Sequence, residues 1–430
     1  MPGAIEPVAV TGIGIRSPLG ASAAAHWAGV VAGTRAVRRL TPDEVGGPLL
    51  ETPGWTEWCG APFADRRFSP SQSELCGIAA QTAAEACKQA GLLNLPPEMR
   101  GRIGVVFGAS KPVLTPRFDA PPAEWVPEPG AFLPGYLLKN EMFNLSAAAE
   151  YIARLFDLQG PLLTPCAACA TGLVSIIRGV TLIRSGDCEV VVAGSADSSL
   201  HAAYLAAYRR MGVLAPAGED PGRSCRPFDA GRRGFAVGEG AATIVLEDID
   251  HARRRGATIL AEILGTGLTA DNDSLVDVDP GGRSLARALR DALTRSGVRP
   301  DEVDAASLHG TGTRLNDLCE TAAVKNVFGA HAGQISCFSV KGAIGHLMGA
   351  AGSVETATLI QAIQHQTVPP TVNLNEPDPD CDLDYTPGRP RPRRIRTAIK
   401  LSHGFGGACA ALVLRPPASK QTTDKTDQRG

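Results

Sequence analysis

Short apolar runs rich in β-branched residues recur along this chain, and stretches with helical spacing lie between them. That alternation most limits what the chain can fold into, because it argues for a layered α/β architecture rather than a bundle or an all-β sandwich. Strands are expected over Pro7–Gly20, Arg102–Gly108 (R-I-G-V-V-F-G), Glu189–Gly194 (E-V-V-V-A-G) and Ala241–Leu246, then over Ile259–Leu264, Val303–His309 and Ala408–Leu414. Helical spacing covers Gln72–Gly91, Leu145–Phe156, Thr171–Ser185, Ser284–Ser296, Asn316–Phe328 and Gly349–Gln364. Residues 41–70 and 111–135 are rich in proline and lack a period, so they read as surface excursions. The polar stretch 416–430 reads as a disordered tail.

Bulk properties exclude several function classes. The 42 basic and 44 acidic side chains give a net charge of -2, so no global field points to nucleic acid or an anionic membrane. No run of about eighteen apolar residues predicts a membrane span. The start, M-P-G-A-I-E-P-V-A-V, lacks the features of a signal peptide. The 11 cysteines are odd in number and scattered, as in a reduced protein, so a cytoplasmic location is expected.

The most informative segment is G-P-L-L-T-P-C-A-A-C-A-T-G-L-V-S-I, residues 160–176. It predicts an apolar strand over Leu162–Ala168, a helix from Thr171, and Cys169 at the junction. Backbone dipoles at a helix start favour the thiolate and predict a lowered thiol pKa. The small neighbours Ala167, Ala168, Ala170 and Gly172 permit a sharp turn on which the sulfur is open to substrate and a free amide can face an oxyanion. A buried structural cysteine is the common alternative. Cys166 with Cys169 also spells C-x-x-C, but no further paired ligands stand at zinc spacing, so no metal is expected.

Two histidines raise the functional reading. His309 stands in S-L-H-G-T-G-T, after an apolar strand and on a tight loop. His346 stands in S-V-K-G-A-I-G-H-L-M-G-A-A-G, between glycines and before a helix of small residues. Each half of the chain thus places one reactive side chain beyond an apolar strand, Cys169 in the first and His309 in the second, which hints at a duplication.

Together with the terminal G-F-G-G and with R-P-F-D-A-G-R-R-G-F-A-V-G-E-G at 226–240, these motifs resemble the β-ketoacyl synthases, from about Val8 to Leu414. The resemblance implies a thiolase-like fold of two pseudo-duplicated αβαβα halves in a layered sandwich, here 1–254 and 255–415. It implies that Cys169 is the acylated nucleophile, that His309 and His346 flank the extender's carboxylate and thioester, and that Lys341 is the family lysine. Glu320 and Asp317 match acidic positions after the first histidine loop. Lys341 and Glu320 would orient the histidines, or form an ordinary structural ion pair. The amides of Phe405 and Cys169 would form the oxyanion hole, with Phe405 as a gate.

It implies further a decarboxylative condensation of an acyl thioester with a malonyl carrier-protein thioester, in polyketide or specialised fatty-acid synthesis. No dissociable cofactor is implied, because the phosphopantetheine arm arrives on the acyl carrier protein. The partners implied are that carrier protein, which Arg66, Arg67, Arg209 and Arg210 could receive, and a second subunit in a homodimer or a heterodimer. Pro165-Cys166, Gly342 and His403 depart from the family's usual residues. Tyr208 and His403 are expected at the acyl pocket, so these departures bear on substrate range. The other readings are a non-elongating acyltransferase, a chain-length-determining partner subunit and a thiolase that uses Cys409.

Overall fold

The computed structural model describes residues 6–45, 58–64, 72–93, 96–113 and 144–418. Ten strands form one sheet. They are β1 Val8–Arg16, β2 Ile103–Gly108, β3 Leu162–Leu163, β4 Val190–Asp197, β5 Gly240–Asp248, β6 Ala261–Ala270, β7 Ala305–Ser307, β8 Ser336–Phe338, β9 Ala398–Gly404 and β10 Ala408–Arg415. The spatial order is β8-β7-β9-β10-β6-β1-β5-β4-β2-β3.

Read from the centre outwards, each half repeats one topology. In both, the first strand pairs with the fifth, the fifth with the fourth, the fourth with the second and the second with the third. The senses repeat as well: the two outer pairings are parallel and the two inner ones antiparallel. The halves join through a short antiparallel contact, Val8–Val10 against Ala261–Ile263.

Helices complete the layers. On one outer face, α1 Gln72–Gln89 and α2 Ala147–Leu155 pack on the first half-sheet. Between the half-sheets lie α3 Thr171–Arg184 and α6 Ala351–His365, both almost wholly buried. On the other outer face lie α4 Arg283–Ser296 and α5 Arg314–Phe328. The result is the expected αβαβα sandwich. In α4 the buried side chains Leu285, Ala286, Ala288, Leu289, Ala292 and Leu293 follow helical spacing and form one apolar stripe. From Ala351 to Ile363 every residue of α6 is buried, polar Glu355 and Gln361 included, as in a helix covered on all sides.

The first strand of each half carries a glycine pair that admits its outer helix. A Cβ on Gly12 or Gly14 would stand 2.1 or 2.0 Å from carbonyls of α1, and one on Gly265 or Gly267 would stand 2.1 or 1.8 Å from carbonyls of α4. T-G-I-G and L-G-T-G are therefore the same packing device used twice.

Several sequence expectations need correction. The strand expected over Leu162–Ala168 is only Leu162–Leu163, an outermost strand whose two leucines are 39% exposed. Pro165 cannot donate to a ladder, and the backbone then turns sharply at Ala168. Cys169 follows the third strand of its half whereas His309 follows the second strand of the other, so the two are not counterparts. By topology the segment with Lys341 and His346 corresponds to Cys169, and Ser110–Lys111 corresponds to His309. Strand β9 was not expected, because buried Lys400 and His403 break its apolar pattern. Arg66, Arg67, most of 111–135 and 419–430 lie outside the described residues.

Candidate active site

The nucleophile elbow is held by the backbone. Ala168 has φ +46°, a left-handed conformation costly for an alanine, and Cys169 follows in a 3₁₀ turn that runs into α3. Thr171 secures this turn: its hydroxyl accepts from Ala167 N–H at 2.9 Å and donates to Ala168 C=O at 2.7 Å. The N–H of Cys169 lies in the first turn and has no backbone acceptor. The end of β9 passes against it. A Cβ on Gly404 would meet Ala167 O at 2.5 Å and Cys169 N at 3.2 Å. The next residue, Phe405, donates its backbone N–H to the Cys169 sulfur. Gly404→Ala should therefore push these two amides apart and slow acylation of Cys169 about a hundredfold, the cost of losing one such donor, while the fold persists by circular dichroism.

His309 and His346 face the sulfur. One ring nitrogen of each and the Cys169 Sγ all lie within 4.8 Å of one another. The rings stand edge to face with centroids 5.1 Å apart, and Phe235 packs edge-on against His346 at 5.0 Å. The hydrogen-bond network assigns both tautomers. His346 Nδ1 accepts from Met348 N–H at 3.2 Å, so its proton is on Nε2. His309 Nδ1 lies 3.3 Å from Lys341 Nζ, and an ammonium can only donate, so this ring also carries its proton on Nε2. Burial, reinforced by the charge of Lys341, holds both pKa values well below 6.5. The site thus presents two neutral imidazoles, each with an N–H donor.

The charged residues pair differently from the expectation. Glu320 does not meet Lys341. It accepts from the backbone N–H of His309 at 2.5 Å and of Gly310 at 2.6 Å, and so fixes the histidine loop. Asp317 accepts from Phe228 N–H at 2.8 Å and pairs with Arg232 at 3.4 Å, which ties the 226–240 segment to α5. Burial raises both carboxyls, Glu320 to about 7 and Asp317 to about 6. Lys341 is paired with Glu355, and the other Glu355 oxygen lies 2.7 Å from Lys400 Nζ. Neither Glu355 nor Lys400 was singled out from sequence. The available signal was the lone acidic side chain of one segment, A-G-S-V-E-T-A-T-L-I-Q, and the lone lysine of the other, A-I-K-L-S-H-G.

A cavity of about 350 Å³ opens onto Cys169, His309, His346, Phe235 and Phe405; exposed Arg233 and Arg314 and buried, carboxylate-paired Arg232 are also in its lining. His403 also lines it, buried, with its Nδ1 unpartnered. Tyr208 does not line it and instead packs edge-on behind Phe235 at 5.9 Å. Exposed Arg209 and Arg210 end the helix just before Met211, which does line it. Cys409 is buried in β10 and is not part of the lining, which removes the acid/base group a thiolase would need.

The expected depression of the Cys169 pKa is not observed. Burial pushes the thiol up to about 11, and the charges of Lys111 and Lys341 with the Phe405 N–H only partly offset this. Cys169 is 8% exposed, and desolvation of a thiolate there exceeds what one helix start returns. The thiol is therefore neutral at pH 7. Its alkylation by iodoacetamide should rise about tenfold per pH unit from pH 7 to 10, and a plateau below pH 9 would contradict this.

Comparison with known proteins agrees with this geometry. The β-ketoacyl synthase N-terminal domain profile matches residues 5–252, and the C-terminal domain profile matches residues 260–375. The chain belongs to the β-ketoacyl synthase family. Among its relatives it is 32% identical to 3-oxoacyl-[acyl-carrier-protein] synthase 2 of Coxiella burnetii, over 95% of this chain and 98% of that one. It is 35% identical to the ketoacyl synthase alpha subunit of the tetracenomycin polyketide synthase of Streptomyces glaucescens, over 95% and 97%. Among solved structures it resembles a type II polyketide ketosynthase in complex with its acyl-carrier protein and bound to the hexaketide, at TM-score 0.84 and 27% identity, over 96% and 99% of the two chains. Against that family background the same three side chains could grip a soft divalent ion, yet each is also suited to thioester chemistry.

Proposed function

We propose that the protein catalyses decarboxylative Claisen condensation of an acyl thioester with a malonyl thioester carried on an acyl carrier protein. One observation carries this reading: a cysteine thiol on a strained elbow lies within 4.8 Å of two neutral imidazoles, both of which hold a proton on Nε2. In the first step the Cys169 sulfur attacks the donor's thioester carbonyl, the donor's C–S bond breaks, and its thiol leaves with the proton of Cys169. The malonyl group then enters, the bond between its methylene carbon and its carboxylate breaks, and CO2 leaves. The electron pair moves onto the thioester oxygen as an enolate, which accepts both Nε2–H bonds. The enolate carbon attacks the acyl-cysteine carbonyl. The N–H groups of Cys169 and Phe405 hold the oxyanion, which collapses to expel the Cys169 sulfur and release a β-ketoacyl product two carbons longer; the sulfur then takes up one proton from solvent and is again a thiol.

Two neutral donors suit this chemistry because charge reaches the thioester oxygen only as CO2 departs. Plain acyl transfer needs no carbanion stabilisation, which disfavours a non-elongating acyltransferase. A partner subunit that only sets chain length needs no nucleophile, and Cys169 is present on a built elbow. The test is release of labelled CO2 from carboxyl-labelled malonyl carrier protein with and without an acyl donor. Donor-dependent release together with a two-carbon-longer β-keto product supports condensation; acylation of Cys169 with no release assigns acyl transfer instead.

The carrier's phosphopantetheine arm would reach Cys169 through the cavity, where the exposed Arg233 and Arg314 suit an acidic carrier protein. The chain would pair with a second ketosynthase-like subunit, identical or not, along the β3 edge. There Tyr151, Leu155, Leu162 and Leu163 are exposed on adjoining elements. The chain is read as two halves that meet near residue 255. Among the described residues no helix is long and apolar enough to cross a membrane.

A further inference from the structure

The cavity with the two histidines reaches Cys169 from one side, and the extender must occupy that side. An acyl group already on Cys169 is then confined to the opposite side. Cys169 there shares an apolar cluster with Leu200, Leu205 and Met348, on which Tyr208 packs. A wall for a plain alkyl chain would be apolar throughout, and this one is not.

Beyond β2 the chain turns through Ser110 and Lys111 beside the elbow, where Cys166 Sγ lies 3.5 Å from Ser110 O. Lys111 is the topological counterpart of His309 in the first half. Its ammonium is held 3.2 Å from Asp197 and 2.9 Å from Ser110 Oγ, and it lies 5.5 Å from the centroid of the Tyr204 ring. Asp197 is buried at the end of β4, and the Lys111 side chain is only 18% exposed. The charge of Lys111 also acts on the Tyr208 hydroxyl, and on the Cys169 thiol more strongly than that of Lys341 does. Among the described residues no hydrogen bond from the Tyr208 hydroxyl is formed, and the atom is not one of the buried polar atoms left without a partner, so its O–H is free for water or for an oxygen on the acyl group.

We propose that Lys111 and Tyr208 are specificity-determining residues, selecting for transfer to Cys169 acyl groups that bear a carbonyl oxygen along the chain over plain alkyl groups. This rests on the condensing reading above. An alkyl chain laid on these donors strips their water and returns no hydrogen bond, whereas a keto oxygen accepts the Tyr208 O–H under the pull of the ammonium. Sites built around a hydrogen bond reject the analogue that lacks it far better than apolar pockets reject an extra methylene.

The test compares 3-oxobutanoyl and butanoyl thioesters of N-acetylcysteamine. Acylation of Cys169 is followed by intact mass, and each rate is divided by the rate with free cysteine to remove intrinsic reactivity. The wild-type chain should favour 3-oxobutanoyl by about tenfold or more. Lys111→Met should erase that preference, chiefly by speeding butanoyl transfer, and Tyr208→Phe should reduce it several-fold. Lys111→Met leaves Asp197 without its cation; if that variant does not fold, Tyr208→Phe, which removes one hydroxyl, decides alone. A corrected ratio near one in the wild type, or a ratio unchanged in the folded variants, overturns this inference and leaves the condensing reading intact. If neither thioester acylates Cys169, the condensing reading falls and the inference falls with it.

Discussion

Replacing His346 with alanine should slow condensation about 10²–10⁴-fold while Cys169 still takes up an acyl group. Acylation uses the elbow and its two amides, which His346 does not contact in the hydrogen-bond network. Condensation creates an enolate, and His346 would supply one of its two N–H donors. Its ring is neutral because burial holds the pKa well below 6.5, so the loss should not depend on pH between about 6 and 9. His309→Ala should give the same split. The double variant should cost less than the product of the single losses, because donors that act on one oxygen are not additive. Single-turnover acylation by intact mass, set beside steady-state release of CO2, separates the two steps. Equal loss in both would mean that the histidines serve the thiol and not the enolate.

Glu355→Ala should have the largest effect on stability of any single change near the site, about 3–5 kcal/mol in denaturant unfolding. Glu355 is 2% exposed and is the carboxylate that both Lys341 and Lys400 reach in the interior. Without it two buried ammonium groups face each other with only carbonyl oxygens and the His309 ring nitrogen for company. Lys400 is already held below its usual pKa by burial, with Lys341 adding to this, and would lose its main opposing charge. The effect should extend to the chemistry, because Lys341 donates to both the carbonyl oxygen and Nδ1 of His309. Raising the pH should lessen the destabilisation, since a deprotonated lysine no longer needs the missing partner. Glu355→Gln keeps the shape without the charge and should cost less. An alanine variant as stable as the wild type would show that the trio is not the anchor of His309.

What could be read from sequence follows from how locally each feature is encoded. Cys169, His309 and His346 stood out because each sits among glycines and alanines, and a tight turn beside a reactive group leaves that trace within a few residues. The layered fold was legible for the same reason, since strand and helix periods are local. Features set by distant contacts were not. Strand Ala398–Gly404 was hidden because Lys400 and His403 interrupt its pattern, and Glu355, whose charge accompanies Lys400 into the interior, stands more than forty residues away in sequence. For Glu320 and Lys341 the sequence offered a role in orienting the histidines or an ion pair with each other; only the fold gives Lys341 to Glu355 and turns Glu320 onto the backbone of its own loop. The Cys169 pKa was misjudged because a helix start can be read in sequence and the depth of burial cannot. Lys111 escaped notice because it is followed by Pro112 and opens a proline-rich stretch, where a lysine looks like any surface residue.

The most direct test of the central claim is to incubate the pure protein and its Cys169→Ala variant with an acyl thioester and malonyl carrier protein, and to read the intact masses of enzyme and carrier. A condensing enzyme gives an acyl adduct on the wild-type enzyme that is absent from the variant, and a carrier-bound β-keto product two carbons longer that only the wild type forms. An elongated product from the Cys169→Ala variant, or no adduct on the wild type even with a candidate second subunit present, would contradict the assignment of Cys169 as the nucleophile.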